Sequence, residues 1–233
     1  MTRRDYSRLP PRKNTWKGDP PVPGTTTQTG WGGIVFNCAT GPVTACAGTF
    51  TVPSLSGEDG SLCSIWIGIG NVMQTGIYSQ YYTGSPGDND PYPSWTTFID
   101  GSGGGAIQFW SDSRSVTAGD SVTLEMTLED DYWTCTQTNS TAGWSYSNVT
   151  SCRAVSIVNT QWSYPFNQAE WIIEKEGSSY LPDYGTLTWT GMSSTPSIDS
   201  SSLSYVSTVN TSTDQTPGTY SDGEFTMTWH AYS

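Results

Sequence analysis

Between Ser121 and Glu129 every second residue is apolar: Val122, Leu124, Met126 and Leu128 alternate with Thr123, Glu125, Thr127 and Glu129. A period of two puts successive side chains on opposite faces of an extended chain, so this segment reads as a half-buried antiparallel strand. Glu224–Trp229 repeats the pattern, with Phe225, Met227 and Trp229 set against Thr226 and Thr228. No ten-residue stretch carries a helical period. Further strands are expected at 33–37, 46–53, 62–69, 72–82, 94–99, 106–111, 132–137, 153–161, 169–175, 185–190 and 203–209. With 25 Gly and 14 Pro among 233 residues and only 13% charged, turns are favoured and helices are not. The pattern predicts one all-β domain over residues 25–233, a two-sheet antiparallel sandwich or jelly roll, preceded by an extended arm at residues 1–24. Gly101-Ser102-Gly103-Gly104-Gly105 reads as a hairpin loop and lacks the Lys-Ser/Thr that a phosphate loop requires.

Charge is segregated. Arg3, Arg4, Arg8, Arg12, Lys13 and Lys17 crowd the first seventeen positions, while residues 20–233 hold three basic and nineteen acidic residues, a net −16. Such a body repels nucleic acid. It suits a protein working in acid, where its net charge shrinks as carboxylates protonate. The basic, Pro-rich arm is expected to be a tether, an attachment segment for a partner, or the remnant of a propeptide that docks on the acidic body.

Five cysteines (Cys38, Cys46, Cys63, Cys135, Cys152) allow at most two disulfides, and proximity favours Cys38–Cys46 and Cys135–Cys152. With no C-x-x-C and His230 the lone histidine, a zinc site is not expected, and neither is an organic cofactor. Sequons at Asn139, Asn148 and Asn210 fit an extracellular chain. The chain has no apolar stretch long enough for a membrane span and no signal-peptide core. Secretion or display on the surface of a particle is the expected setting, without membrane contact.

The familiar hydrolytic devices fail one by one. A Ser or Cys nucleophile would depend on His230, at the end of an alternating strand, and there is no G-x-S-x-G. No Asp-Thr/Ser-Gly pair offers a carboxylate dyad. What remains is water activated by one carboxylate with a neutral hydrogen-bond donor beside it. Ala169-Glu170-Trp171-Ile172-Ile173-Glu174 sets a carboxylate at each end of an apolar strand, and a buried carboxylate is costly unless paired or used. Val72-Met73-Gln74-Thr75-Gly76 sets an amide in another.

Together with Trp31-Gly32-Gly33 and Ile65-Trp66-Ile67-Gly68-Ile69, in the same order along the chain, these segments resemble the glutamic peptidases, or eqolisins. The resemblance covers roughly residues 30–176. It implies a concanavalin-like sandwich with the site on its concave face, and a secreted acid endopeptidase that uses a Gln/Glu pair on polypeptide substrates. It places the pair on Gln74 and Glu174, with Glu170 as a neighbour tuning Glu174. Trp31, Gly32, Trp66 and Trp95 would line the substrate groove. An amide orients water and stabilises an oxyanion without charge, while the carboxylate takes the water's proton and returns it to the leaving amine. The chain departs from the family at Gly70 and Thr97, where acidic residues are usual. This leaves the proton inventory on Glu174 alone or alters specificity.

The competing class is a carbohydrate-binding or virion or cell-surface module on the same sandwich, with a decayed peptidase site, since exposed Trp and Tyr also stack on sugars. A glycosidase using Glu174 and Glu176 is disfavoured, because same-face neighbours point in parallel and do not flank a bond.

Overall fold

The computed structural model describes residues 25–28, 30–39, 42–56, 61–70, 73–81, 94–101, 108–109, 116–129, 132–151, 167–175, 181–208 and 213–231. The arm at 1–24, the strand expected at 153–161, the loop at 102–105, Cys152 and Asn210 lie outside these residues.

Among the described residues fifteen strands form two sheets. They are β1 (Thr25–Gln28), β2 (Trp31–Asn37), β3 (Ala45–Thr51), β4 (Ser61–Ile69), β5 (Met73–Tyr81), β6 (Ser94–Gly101), β7 (Gln108–Phe109), β8 (Ser121–Glu129), β9 (Tyr132–Asn139), β10 (Trp144–Ser151), β11 (Gln168–Lys175), β12 (Thr186–Thr195), β13 (Leu203–Thr208), β14 (Thr213–Pro217) and β15 (Phe225–Ala231). One sheet has eight strands in the order β1-β13-β2-β11-β4-β5-β6-β7, and the other seven in the order β10-β9-β8-β3-β12-β15-β14. All pairings are antiparallel except β1 with β13. The expected sandwich is therefore the observed one.

The alternating residues fill the space between the sheets. Val122, Leu124 and Met126 of β8 and Phe225 and Met227 of β15 meet Ile65, Ile67, Trp171 and Ile173 from the other sheet in one continuous core. Trp171 donates its indole N–H to the Ala47 carbonyl at 2.9 Å, stitching the sheets together. Phe50 and Trp189 pack edge to face at 4.7 Å. Strand β11 is buried on both faces from Gln168 to Ile173, which explains its unbroken apolar run. Its odd-numbered residues enter the core, and its even-numbered ones face outward.

Neither expected disulfide forms. Cys38, Cys46, Cys63 and Cys135 are buried thiols. Cys38 closes β2 in one sheet, whereas Cys46 belongs to β3 in the other and directs its sulfur to the Gly68 carbonyl at 3.8 Å. Burial pushes the Cys135 thiol up to about 12. The Asn139 sequon is likewise structural. Asn139 is fully buried, donates to Asp120 at 2.8 Å and accepts from the Thr141 and Ala142 amides, holding the β9–β10 turn. Burial alone would raise the Asp120 carboxyl, but hydrogen bonds from the Thr117 amide and Asn139 hold it below its ordinary value.

Candidate active site

Strand β11 lies between β2 and β4, with β5 next beyond β4. Across these strands the outward-facing residues form rows. In one row Val35, Glu170, Gly68 and Gln74 stand opposite one another. Two residues along, Gly33, Ile172, Trp66 and Gly76 form the next. The third is Trp31, Glu174, Ser64 and Tyr78. Val35, Trp66 and Ile172, with Trp31 and Tyr78 against them, make a small apolar cluster separate from the main core.

Glycines create the space for this cluster. A β-carbon at Gly76 would collide with the Ile65 carbonyl and stand 2.6 Å from Trp66 Cβ. One at Gly68 would sit 2.7 Å from Trp66 Cζ3 and 2.9 Å from Glu170 Oε2. The Trp66 ring and the Glu170 carboxyl therefore lie over a floor without side chains. Trp66 is fully buried. Its indole N–H donates to Glu174 Oε2 at 3.0 Å, and Trp31 meets the ring edge to face, with centroids 5.1 Å apart. Glu174 is half-buried, while Glu170 is only 1% exposed and Gln74 6%. At the end of the face beyond Glu170, Gln168, Asn37 and Ser204 form a chain of hydrogen bonds.

The sequence-expected residues divide between the two sides of the sheet. Trp31, Trp66, Gln74 and Glu174 share the outer face. Gly32 faces the core instead: it pairs with Ile173, and a β-carbon there would strike Gln215 Oε1 and approach Met227 Cε to 2.8 Å. Trp95 pairs with Ser79 on β5. Gln74 and Glu174 are not side by side. They are two strands apart and four residues out of line, an offset of about 13 Å along the strands at 3.3 Å per residue. Gln74 stands across Gly68 from Glu170. The β5 glutamine closer in register to Glu174 is Gln80, paired with Leu62, two residues or about 7 Å out of line. Ser64 and Tyr78, in the same row as Glu174, were not legible beforehand, since only the register reveals them.

Below this face, Cys46 is kept a thiol by burial and then by the nearby Cys135 and Glu170, all of which raise it. A depression of about 280 Å³ lies on the outer face of the other sheet, lined by Thr49, Phe50, Thr51, Ser121, Thr186, Thr188 and Thr190. It holds no titratable group. Among the described residues no cluster of His, Cys, Asp and Glu is built to hold a metal.

The Peptidase A4 family profile matches residues 29–229, nearly the whole sandwich. The chain belongs to the peptidase A4 family. Among solved structures, this A4 peptidase is similar to scytalido-glutamic peptidase with a transition state analog inhibitor: 20% identity, 88% of this chain and 100% of the other covered, TM-score 0.67. It is also similar to SCP-B, an eqolisin solved with the tripeptide Ala-Ile-His, at 19% identity with the same coverage and a TM-score of 0.57. At these identities the likeness establishes the shared sandwich. Among curated proteins no sequence matches.

Proposed function

We propose that the chain is an acid endopeptidase in which Glu174 is both general base and general acid. The observation that carries this reading is the Trp66 indole N–H held on Glu174 Oε2 at 3.0 Å, over a floor cleared by Gly76. The bond holds the carboxyl at a half-buried position beside the partly exposed Trp31 and Tyr78, against which a peptide can lie. Glu174 takes a proton from a water molecule as its oxygen attacks the scissile carbonyl. An amide N–H from β5 then stabilises the oxyanion, and the proton passes from Glu174 to the departing amine. The Gln74-Thr75-Gly76 motif assigns that role to Gln74, which stands across Gly68 from Glu170. Family membership and the eqolisin sandwich support the reaction class.

Cleavage of a denatured protein at acid pH, followed by mass spectrometry of the fragments, tests the reading. Glu174→Gln keeps an acceptor for the indole but removes the base, so turnover should fall about 10²–10⁴-fold with the fold intact. Gln74→Ala should cost about 10²–10³-fold, the loss associated with one oxyanion donor. Full activity in Glu174→Gln would refute the assignment. Retention on an oligosaccharide column without any cleavage would favour a binding module.

A further inference from the structure

Gln137, on β9 of the opposite sheet, is 1% exposed and reaches across the core. Its Nε2 donates to Thr75 Oγ1 at 2.8 Å and to the Gly76 carbonyl at 3.1 Å. Its strand neighbours in the core are Cys135 and Asn139, and it pairs with the buried Leu124. An amide in such surroundings must be desolvated, and its hydrogen bonds return little net stability. Leucine would fill a similar volume without that desolvation cost, but it would take this donor from the buried Thr75 hydroxyl and the Gly76 carbonyl. What distinguishes the glutamine is where its two acceptors lie. Thr75 and Gly76 belong to the site strand β5, and Gly76 is the cross-strand partner of Trp66, which holds Glu174.

We propose that Gln137 is a positioning residue for the reaction, tying β5 to the opposite sheet so that the floor under Trp66, and through it the Glu174 carboxyl, keeps its height. This deepens the peptidase reading and rests on it. The tie acts through the backbone of Gly76, the point where the site has no side chain to absorb movement. Loss of the tie lets β5 ride up or down by a fraction of an ångström while the core stays filled. Misplacements of about 1 Å cost catalysis up to about a hundredfold.

The experiment compares Gln137→Leu, Gln137→Glu and Thr75→Val with the wild-type chain. Gln137→Leu should keep the thermal midpoint within a few degrees yet lower kcat about tenfold or more, with KM little changed. Measured as a ratio to wild type at each pH, Gln137→Glu should recover most of kcat at acid pH, where a protonated carboxyl donates to Thr75, and the ratio should fall as the pH rises. Thr75→Val, which leaves the Gly76 bond in place, should show a smaller loss of kcat. Amide hydrogen exchange in β5 should quicken in Gln137→Leu and remain unchanged in β8. Unchanged kcat in a folded Gln137→Leu, or a loss confined to KM, overturns the inference. If Gln137→Leu does not fold, the pH-dependent recovery in Gln137→Glu decides, and its absence overturns the inference. A wild-type chain without peptidase activity defeats the functional reading alone, and exchange in β5 still decides the tie.

Discussion

An added methyl group at residue 76 has nowhere to go. The neighbours of that position are the Ile65 carbonyl and Trp66 Cβ, and neither is the movable end of a flexible side chain. Gly76→Ala should therefore destabilise the domain by about 1–3 kcal/mol, the usual cost of overpacking, and should abolish cleavage by lifting Trp66. Gly68→Ala meets the far ends of Trp66 and Glu170 instead, so it should cost less stability but displace both side chains. Thermal unfolding and kcat/KM for the two variants check the contrast: stability falls further at 76, and activity falls at both. These glycines also mark how far the site was legible in advance. Trp66-Ile67-Gly68 and Gln74-Thr75-Gly76 were visible as motifs, and so was Glu174. Which glutamine stands near which glutamate was not. That depends on how tightly β4 turns into β5, and each additional residue in such a hairpin moves every cross-strand partner.

At the scale of the element, strands that alternate were readable and strands that do not were missed. β8 and β15 follow their expected spans closely because one face of each is buried. β10 (Trp144–Ser151) was not foreseen: it is an edge strand whose residues 144–149 are half-buried or exposed, with Val149 61% exposed, so no apolar period is required of it. β1 and β14, also at sheet edges, have no apolar alternation in sequence and were missed. β12 runs beyond its expected end at residue 190 because the ladder shifts register between Thr190 and Ser193. Gly191 adopts a φ of 59° there, and in sequence Thr190-Gly191 looks like a stop. The β9–β10 turn carries a prediction of its own. The Asp120 carboxyl titrates below its unfolded value of about 3.9, so its contribution to stability is complete above that pH and is lost as the pH falls through the lower folded value. The stability difference between wild type and Asp120→Asn should thus be constant from neutrality to about pH 4 and shrink below it. A constant difference down to pH 2 would remove Asp120 from the account. Expression in a glycosylating host should leave Asn139 unmodified by peptide mapping, since its amide is sealed against Asp120.

For the whole molecule the dominant electrostatic fact is the excess of carboxylates, a net −16 over residues 20–233. Self-repulsion opposes folding when they are all ionised and relaxes as they protonate. The thermal midpoint at low ionic strength should therefore rise from pH 7 toward pH 5. Salt at about 0.15 M, with a Debye length of about 8 Å, should raise it at pH 7 and have little effect at pH 4. Midpoints independent of both variables would show that the charges are too dispersed to matter. Together with the behaviour of Asp120, this confines greatest stability to mild acid, where a carboxylate base would also operate.

Strand order carries a consequence for how the enzyme comes into being. Glu174 sits on β11, which is inserted between β2 and β4, two strands made more than a hundred residues earlier. Until residues 168–175 leave the ribosome, those early strands face an empty slot, and Trp66 has no carboxylate to hold. Pairing across so long a span is slow to nucleate. Glu174 thus arrives as a keystone, and a half-made chain lacks the Trp66–Glu174 hydrogen bond on which the proposed activity rests.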